Sequence, residues 1–193
     1  YLTIKDWNMD TDSYLLDFPN DEVKGGFVTM VAANYLKPKE SPDAWVVEVV
    51  NTMKMGDCDK LEKLLTSFFA SIPYSQRRKD DEREKERYFQ YTFYLVIRMI
   101  SSFTVLIEKE QSEGRVDCII ETPMFVYIFE FKRDGSATEA LKQIEEKGYA
   151  REYATDNRTI YLIGCNFSSK TGTIDDWKSK GENLRKLSDF SDK

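Results

Sequence analysis

Asp117, Glu130 and Lys132 are the residues of this chain whose types and spacing could do chemistry. They sit inside GRVDCIIETPMFVYIFEFK, residues 114–132, among Val, Ile, Phe and Tyr side chains. Side chains alternate along a strand, so Met124, Val126, Ile128, Glu130 and Lys132 share one face while Phe125, Tyr127, Phe129 and Phe131 share the other. If the chain turns back near Thr122-Pro123, an antiparallel hairpin sets Asp117 roughly opposite Ile128 and diagonal to Glu130, on that same face. The two acids then stand on the order of 7 Å apart at the backbone, within reach of one shared cation. Two carboxylates on an apolar sheet face repel each other and lose hydration, so they need a compensating positive charge. Lys132 offers one; a divalent metal offers more. The alternative is a strand end in water, with Asp117 and Arg115 in an ordinary surface ion-pair network worth little.

Composition limits what these charges can be. The chain has 193 residues, enough for one ordinary domain, or a domain with a small appended lobe, around a real core. Its net charge of −6 provides no global positive field for nucleic acid or anionic membrane, so any such binding has to be local. No run of about 18 apolar residues and no basic-then-apolar N-terminal pattern is present, which predicts a cytoplasmic protein. The three cysteines, Cys58, Cys118 and Cys165, are odd in number and widely spaced, a pattern of buried thiols rather than disulfides or a zinc knuckle. Histidine is absent, which removes Ser-His-Asp and Cys-His catalysis and leaves carboxylate, lysine and tyrosine chemistry with oxygen-ligated metals. The start at Tyr1 suggests a piece of a longer protein.

The elements that must position the triplet follow from periodicity. YLTIKDW is a short strand or extended lead-in. Helices are predicted from Asn20 with Val23, Phe27, Met30, Val31 and Tyr35 on one stripe, from Pro42 to Met55, and from Asp59 to Ile72 up to Pro73. The mixed-charge YSQRRKDDEREKE is a solvated linker or exposed helix start. A helix follows from Glu82 to Ile100, then strands Phe103–Glu110, Arg115–Glu121 and Phe125–Lys132. Ser136 with Glu139 three residues on is a capping-box signature for a helix carrying Ala140, Leu141 and Ile144 inward. TIYLIGCNF is a buried strand, and Ile174 with Trp177 anchors the chain before it fades into polar residues.

Asp117, a hairpin and Glu130-Phe131-Lys132, set in a helix-strand-strand-strand-helix-strand order, resemble the PD-(D/E)XK nuclease superfamily. More narrowly, the 114–132 segment with ALKQIEEKGYA and IYLIGCNFS beyond it resembles the C-terminal nuclease-like domain of Bacteroides-type bacterial proteins whose N-terminal part is an AAA-type ATPase. YLTIK and YLLDFPNDEV resemble their connecting region. The resemblance implies an α/β (α+β) fold, a restriction-endonuclease-like core with a mixed sheet flanked by helices, behind an N-terminal helical lobe. It implies Asp117, Glu130 and the Phe131 carbonyl as ligands of Mg²⁺ or Mn²⁺, and Lys132 as the group that orients the attacking water. It adds Glu86 as an acid from the first helix, with a solvated surface glutamate as the alternative, and Gln143 as a polar residue placing substrate or water. Val116 stands where the name-giving proline of the superfamily would precede the aspartate.

These readings divide the chain into a helical lobe or connector at 1–80, a nuclease-like domain at 81–180 and a polar tail at 181–193. The leading expectation is Mg²⁺-dependent hydrolysis of DNA or RNA. The alternative is a catalytically inactive module that binds nucleic acid or protein for an attached ATPase domain; a third is dimerisation through the aromatic sheet face. Local phosphate contacts could come from Arg77, Arg78 and Lys79, or from Lys142, Lys147 and Arg151. Tyr88, Phe89, Tyr91, Phe93 and Tyr94 could stack on bases or pack in the core.

Overall fold

The structure is a computed structural model that describes residues 2–9, 11–20, 22–27, 30, 42–72, 92–98 and 103–182. Strands β1 (Thr3–Asn8) and β2 (Ser13–Asp17) form an antiparallel hairpin, and helix α1 covers residues 22–27. Helices α2 (Pro42–Met55), α3 (Cys58–Ser71) and α4 (residues 92–98) precede strands β3 (Thr104–Gln111), β4 (Gly114–Glu121) and β5 (Phe125–Arg133). Helix α5 (Ala137–Glu146), strand β6 (Thr159–Phe167) and strand β7 (Ile174–Glu182) complete the order. Strands β3 to β7 lie in chain order in one sheet, with β5 and β6 parallel and every other pair antiparallel. A parallel pair needs a crossover, and α5 supplies it. The mixed α/β fold is as the resemblance implied.

The central strand β5 is buried on both faces, which is why it reads as a near-continuous apolar run. Val126 and Ile128 pack with Ile119, Ile160 and Leu162 against Ile144 of α5 and the rings of Tyr149 and Tyr153. Tyr127 and Phe129 face the other way, into a core with Val49 and Met53 of α2, Leu61, Leu65 and Phe69 of α3, and Phe93 of α4. Each such side chain contributes about 1.5–3 kcal/mol by leaving water. Helices α2 and α3 thus share one core with the sheet, and the Tyr127 hydroxyl donates to the Met53 carbonyl at 2.7 Å across that join.

Local chemistry sets the helix ends. Asp57 caps α3 by accepting from the Lys60 N–H, and Ser136 with Glu139 forms the expected reciprocal box at α5. All three cysteines are buried and free. Trp45 and Trp177 pack on Phe68 and Phe129, whereas Trp7 is 50% exposed and stacks on Tyr14. Two strands were not anticipated. β2 is too short to show a pattern, and β7 is a mostly polar, exposed edge strand that forms because β6 supplies its partner. No helix among the described residues is long and apolar enough to cross a membrane.

Candidate functional site

The β4–β5 hairpin turns through Thr122, Pro123 and Met124. Thr122 closes it: its N–H donates to the Phe125 carbonyl at 2.8 Å and its Oγ1 accepts from the Phe125 N–H at 2.9 Å. The turn is centred one residue later than expected, on Pro123-Met124, so Ile119, not Asp117, pairs with Ile128. A slip of two residues keeps every side chain on its face. It brings Asp117 level with Glu130 instead of diagonal to it. The ladder ends at Cys118–Phe129, and the Phe131 N–H beyond it donates to Asp117 Oδ2 at 2.8 Å. From the opposite face the Tyr94 hydroxyl donates to the Asp117 carbonyl at 3.2 Å.

Glu130 is only 3% exposed, which overturns the reading of a strand end in water. Its Oε1 accepts from the Gln143 side-chain amide, and Lys132 Nζ lies 3.5 Å from the same oxygen. Lys132 Nζ in turn donates to Gln143 Oε1 at 2.6 Å. A lysine only donates and a carboxylate only accepts, so Gln143 can satisfy both with its carbonyl toward Lys132 and its amide toward Glu130. The second carboxylate oxygen, Glu130 Oε2, is buried with no hydrogen-bond partner. Such an orphan in a native site calls for an explanation.

Helix α5 reaches this position because of one glycine. Gly164 pairs with Glu130 across the parallel ladder, and a Cβ there would lie 2.1 Å from the Ala137 carbonyl oxygen and 2.8 Å from the Leu141 nitrogen. Only a residue without a side chain lets the helix backbone lie so close to the sheet. The capping box, the Asp176 carboxylate accepting from the Ala137 N–H at 2.8 Å, and the Asn166 side chain accepting from the Gly135 N–H at 2.9 Å hold its first turn. The Asp134-Gly135-Ser136 turn therefore spends these donors internally rather than on an external anion.

Burial and the neighbouring Asp117 charge push the Glu130 carboxyl up to about 8, with Lys132 acting against them. Burial also raises Asp117, opposed by the Phe131 N–H, Lys132 and Arg115. Two desolvated acids at one level of the sheet, one with an unmatched oxygen and both raised, have the electrostatics of a divalent-cation site. Among the described residues no three His, Cys, Asp or Glu side chains converge on such a site, so a pair of carboxylates and backbone or solvent oxygens would have to complete it.

Of the residues singled out from the sequence, Asp117, Glu130, Lys132 and Gln143 come together here. Glu86, Arg77, Arg78, Lys79, Tyr88, Phe89 and Tyr91 lie outside the described residues. Phe93 and Tyr94 are buried in the core rather than displayed to bases. Lys142 pairs with Glu146 at 3.2 Å and Arg151 with Glu113 at 2.6 Å, both on exposed surface. Sequence reasoning missed Gly164, although a glycine inside a buried strand was its signal. It also missed Tyr149, whose buried hydroxyl donates to the Arg115 carbonyl at 3.0 Å and for which periodicity gave no sign beyond burial.

Known proteins place the same segment. The chain is 31% identical over 163 residues to an uncharacterised protein in the vnfD 5′ region of Azotobacter chroococcum mcd 1. The match covers 83% of this chain and 31% of that relative, so the chain spans about a third of the relative's length. No solved structure matches. The family match covers residues 84–177, which include β3 to β6, α5 and all four clustered side chains. That segment belongs to the PD-(D/E)XK nuclease superfamily.

Proposed function

We propose that the chain carries a metal-dependent nuclease centre that hydrolyses phosphodiester bonds of DNA or RNA. The observation that carries this reading is the buried, unpartnered Oε2 of Glu130 at the level of Asp117. The donor set fits Mg²⁺ or Mn²⁺: Asp117 and Glu130, with the Phe131 carbonyl, are hard oxygen ligands. When bound, the cation supplies a Lewis acid and a water of lowered pKa. Lys132 positions that water and offsets charge developing on the phosphate. Gln143 fixes Lys132 and Glu130 relative to each other, so the amine and the carboxylate keep one geometry. The backbone N–H of Phe131 holds Asp117 on its other oxygen.

The purified chain, incubated with plasmid and with single-stranded DNA and RNA in Mg²⁺ or Mn²⁺, is expected to cleave. Asp117→Ala and Lys132→Ala are expected to lose at least 100-fold in rate, about 3 kcal/mol of transition-state stabilisation. Equal cleavage by all three proteins would sink the assignment. Nucleic-acid binding without metal uptake or cleavage would assign the site to a binding module instead.

A further inference from the structure

A phosphodiester strand brings negative charge to a site whose own lysine is already bound to Gln143 and Glu130. The chain as a whole is acidic, and Lys142 and Arg151 are paired on the surface. Arg115 differs. It lies two residues before Asp117 on β4, with its side chain 58% exposed. Its backbone is pinned from beneath by the buried Tyr149 hydroxyl, and Gly114 leaves room for that phenol, since a Cβ there would stand 2.9 Å from the Tyr149 oxygen.

Asp117 lies within the electrostatic reach of the guanidinium, which among the described residues forms one ion pair, with Glu108 at 3.6 Å. That is an ion-pair distance but not a hydrogen bond, so the planar fork keeps its donors. Glu108 occupies the rung that the β3–β4 ladder skips, between the pairs Ile107–Cys118 and Lys109–Val116, and has a φ of 50°. A left-handed glutamate is held only where its surroundings dictate it. Here the distortion sits directly across from Asp117 and presents a carboxylate to Arg115.

We propose that Arg115 is the phosphate-binding group of this site, its fork taking the backbone of a nucleic-acid strand beside Asp117 and releasing Glu108 as it does so. The identity of the ligand rests on the nuclease reading. Arginine suits the task because its coplanar donors match two phosphate oxygens, which a lysine cannot do.

The test is anisotropy of a labelled single strand and its duplex, titrated with the whole chain in Ca²⁺ at graded salt, beside separate cleavage assays in Mg²⁺. Arg115→Ala is expected to weaken binding about tenfold and lower the salt slope by about one phosphate contact. Arg115→Lys recovers part of the affinity, and Glu108→Gln tightens binding by removing the competitor. Lys60→Ala, on exposed α3, controls for loss of a positive charge. Arg115→Ala behaving like Lys60→Ala, or no binding by the unaltered chain, overturns the proposal. Cleavage that persists with unchanged Arg115→Ala binding removes Arg115 and leaves the nuclease reading standing. Arg115-dependent binding by a chain that never cleaves upholds Arg115 and removes hydrolysis.

Discussion

At the residue scale, the site is defined by what Glu130 lacks. Its Oε1 is satisfied and its Oε2 is not; burial, with the Asp117 charge beside it, pushes the carboxyl up to about 8, where a solvated glutamate has lost its proton. Because the folded pKa lies above the unfolded one, the native state binds more protons in the window between about 4.5 and 8. Metal-free stability therefore falls as pH rises through that window. A cation reverses the preference by binding the deprotonated form. Calorimetry should show Mg²⁺ affinity rising from pH 6 to pH 8 and then levelling, with proton release below the plateau. Glu130→Gln should abolish that pH dependence and raise the metal-free melting temperature at pH 8.5; a melting temperature that falls instead would show that burial does not penalise the ionised carboxylate. Strand alternation made the triplet legible because it needs only parity, and a two-residue register error leaves parity intact. The orphaned oxygen was not legible, since it depends on which Glu130 oxygen Gln143 reaches. Nor was the Tyr149 contact, which joins residues distant in sequence.

At the scale of elements, the placement of α5 decides whether Gln143 can bridge Lys132 and Glu130. Gly164→Ala puts a methyl group against the Ala137 carbonyl and the Leu141 nitrogen, so the helix has to lift. Overpacking of this kind costs about 1–3 kcal/mol. The melting temperature should fall by several degrees and cleavage well below it by at least tenfold. Normal cleavage would show that the site tolerates a displaced helix. Ser136→Ala removes the cap alone, costs about 1 kcal/mol, and should lower thermal stability with little loss of rate at low temperature. β3 to β6 and α5 were readable because their apolar periods and the capping box are local signals. β7 was not, because IDDWKSKGE has the composition of exposed chain and becomes a strand by pairing with β6. The turn was placed one residue early because the backbone and hydroxyl of Thr122 both bond Phe125, which sets Pro123 and Met124 at its centre, and side-chain bonding of this kind leaves no periodic signal.

At the scale of the whole molecule, charge and metal act together. With 34 acidic against 28 basic residues, the chain repels a polyanion at long range, so on the proposed function attraction would have to come from the few cations at the site and from a bound metal. Binding of nucleic acid should therefore show a shallow salt dependence, equivalent to only a few phosphate contacts, and should weaken on chelation. A cation held at the site would couple to folding, since α5, β4 and β5 meet at Glu130 and the two cores join through β5. A ligand present at 100 times its dissociation constant stabilises the native state by about 2.7 kcal/mol, which for a chain of this size is a rise of roughly 5–10 °C. Scanning calorimetry should find that rise with saturating Mg²⁺ at pH 8, a smaller one at pH 6 where Glu130 holds its proton, and none in Asp117→Ala. The hairpin of β1 and β2 contributes no residue to either core and exposes Ile4, Trp7 and Leu15 by half or more. Deleting residues 1–20 should leave the metal-dependent shift unchanged. Loss of the shift on that deletion would place the hairpin in the site's support, which its exposure argues against.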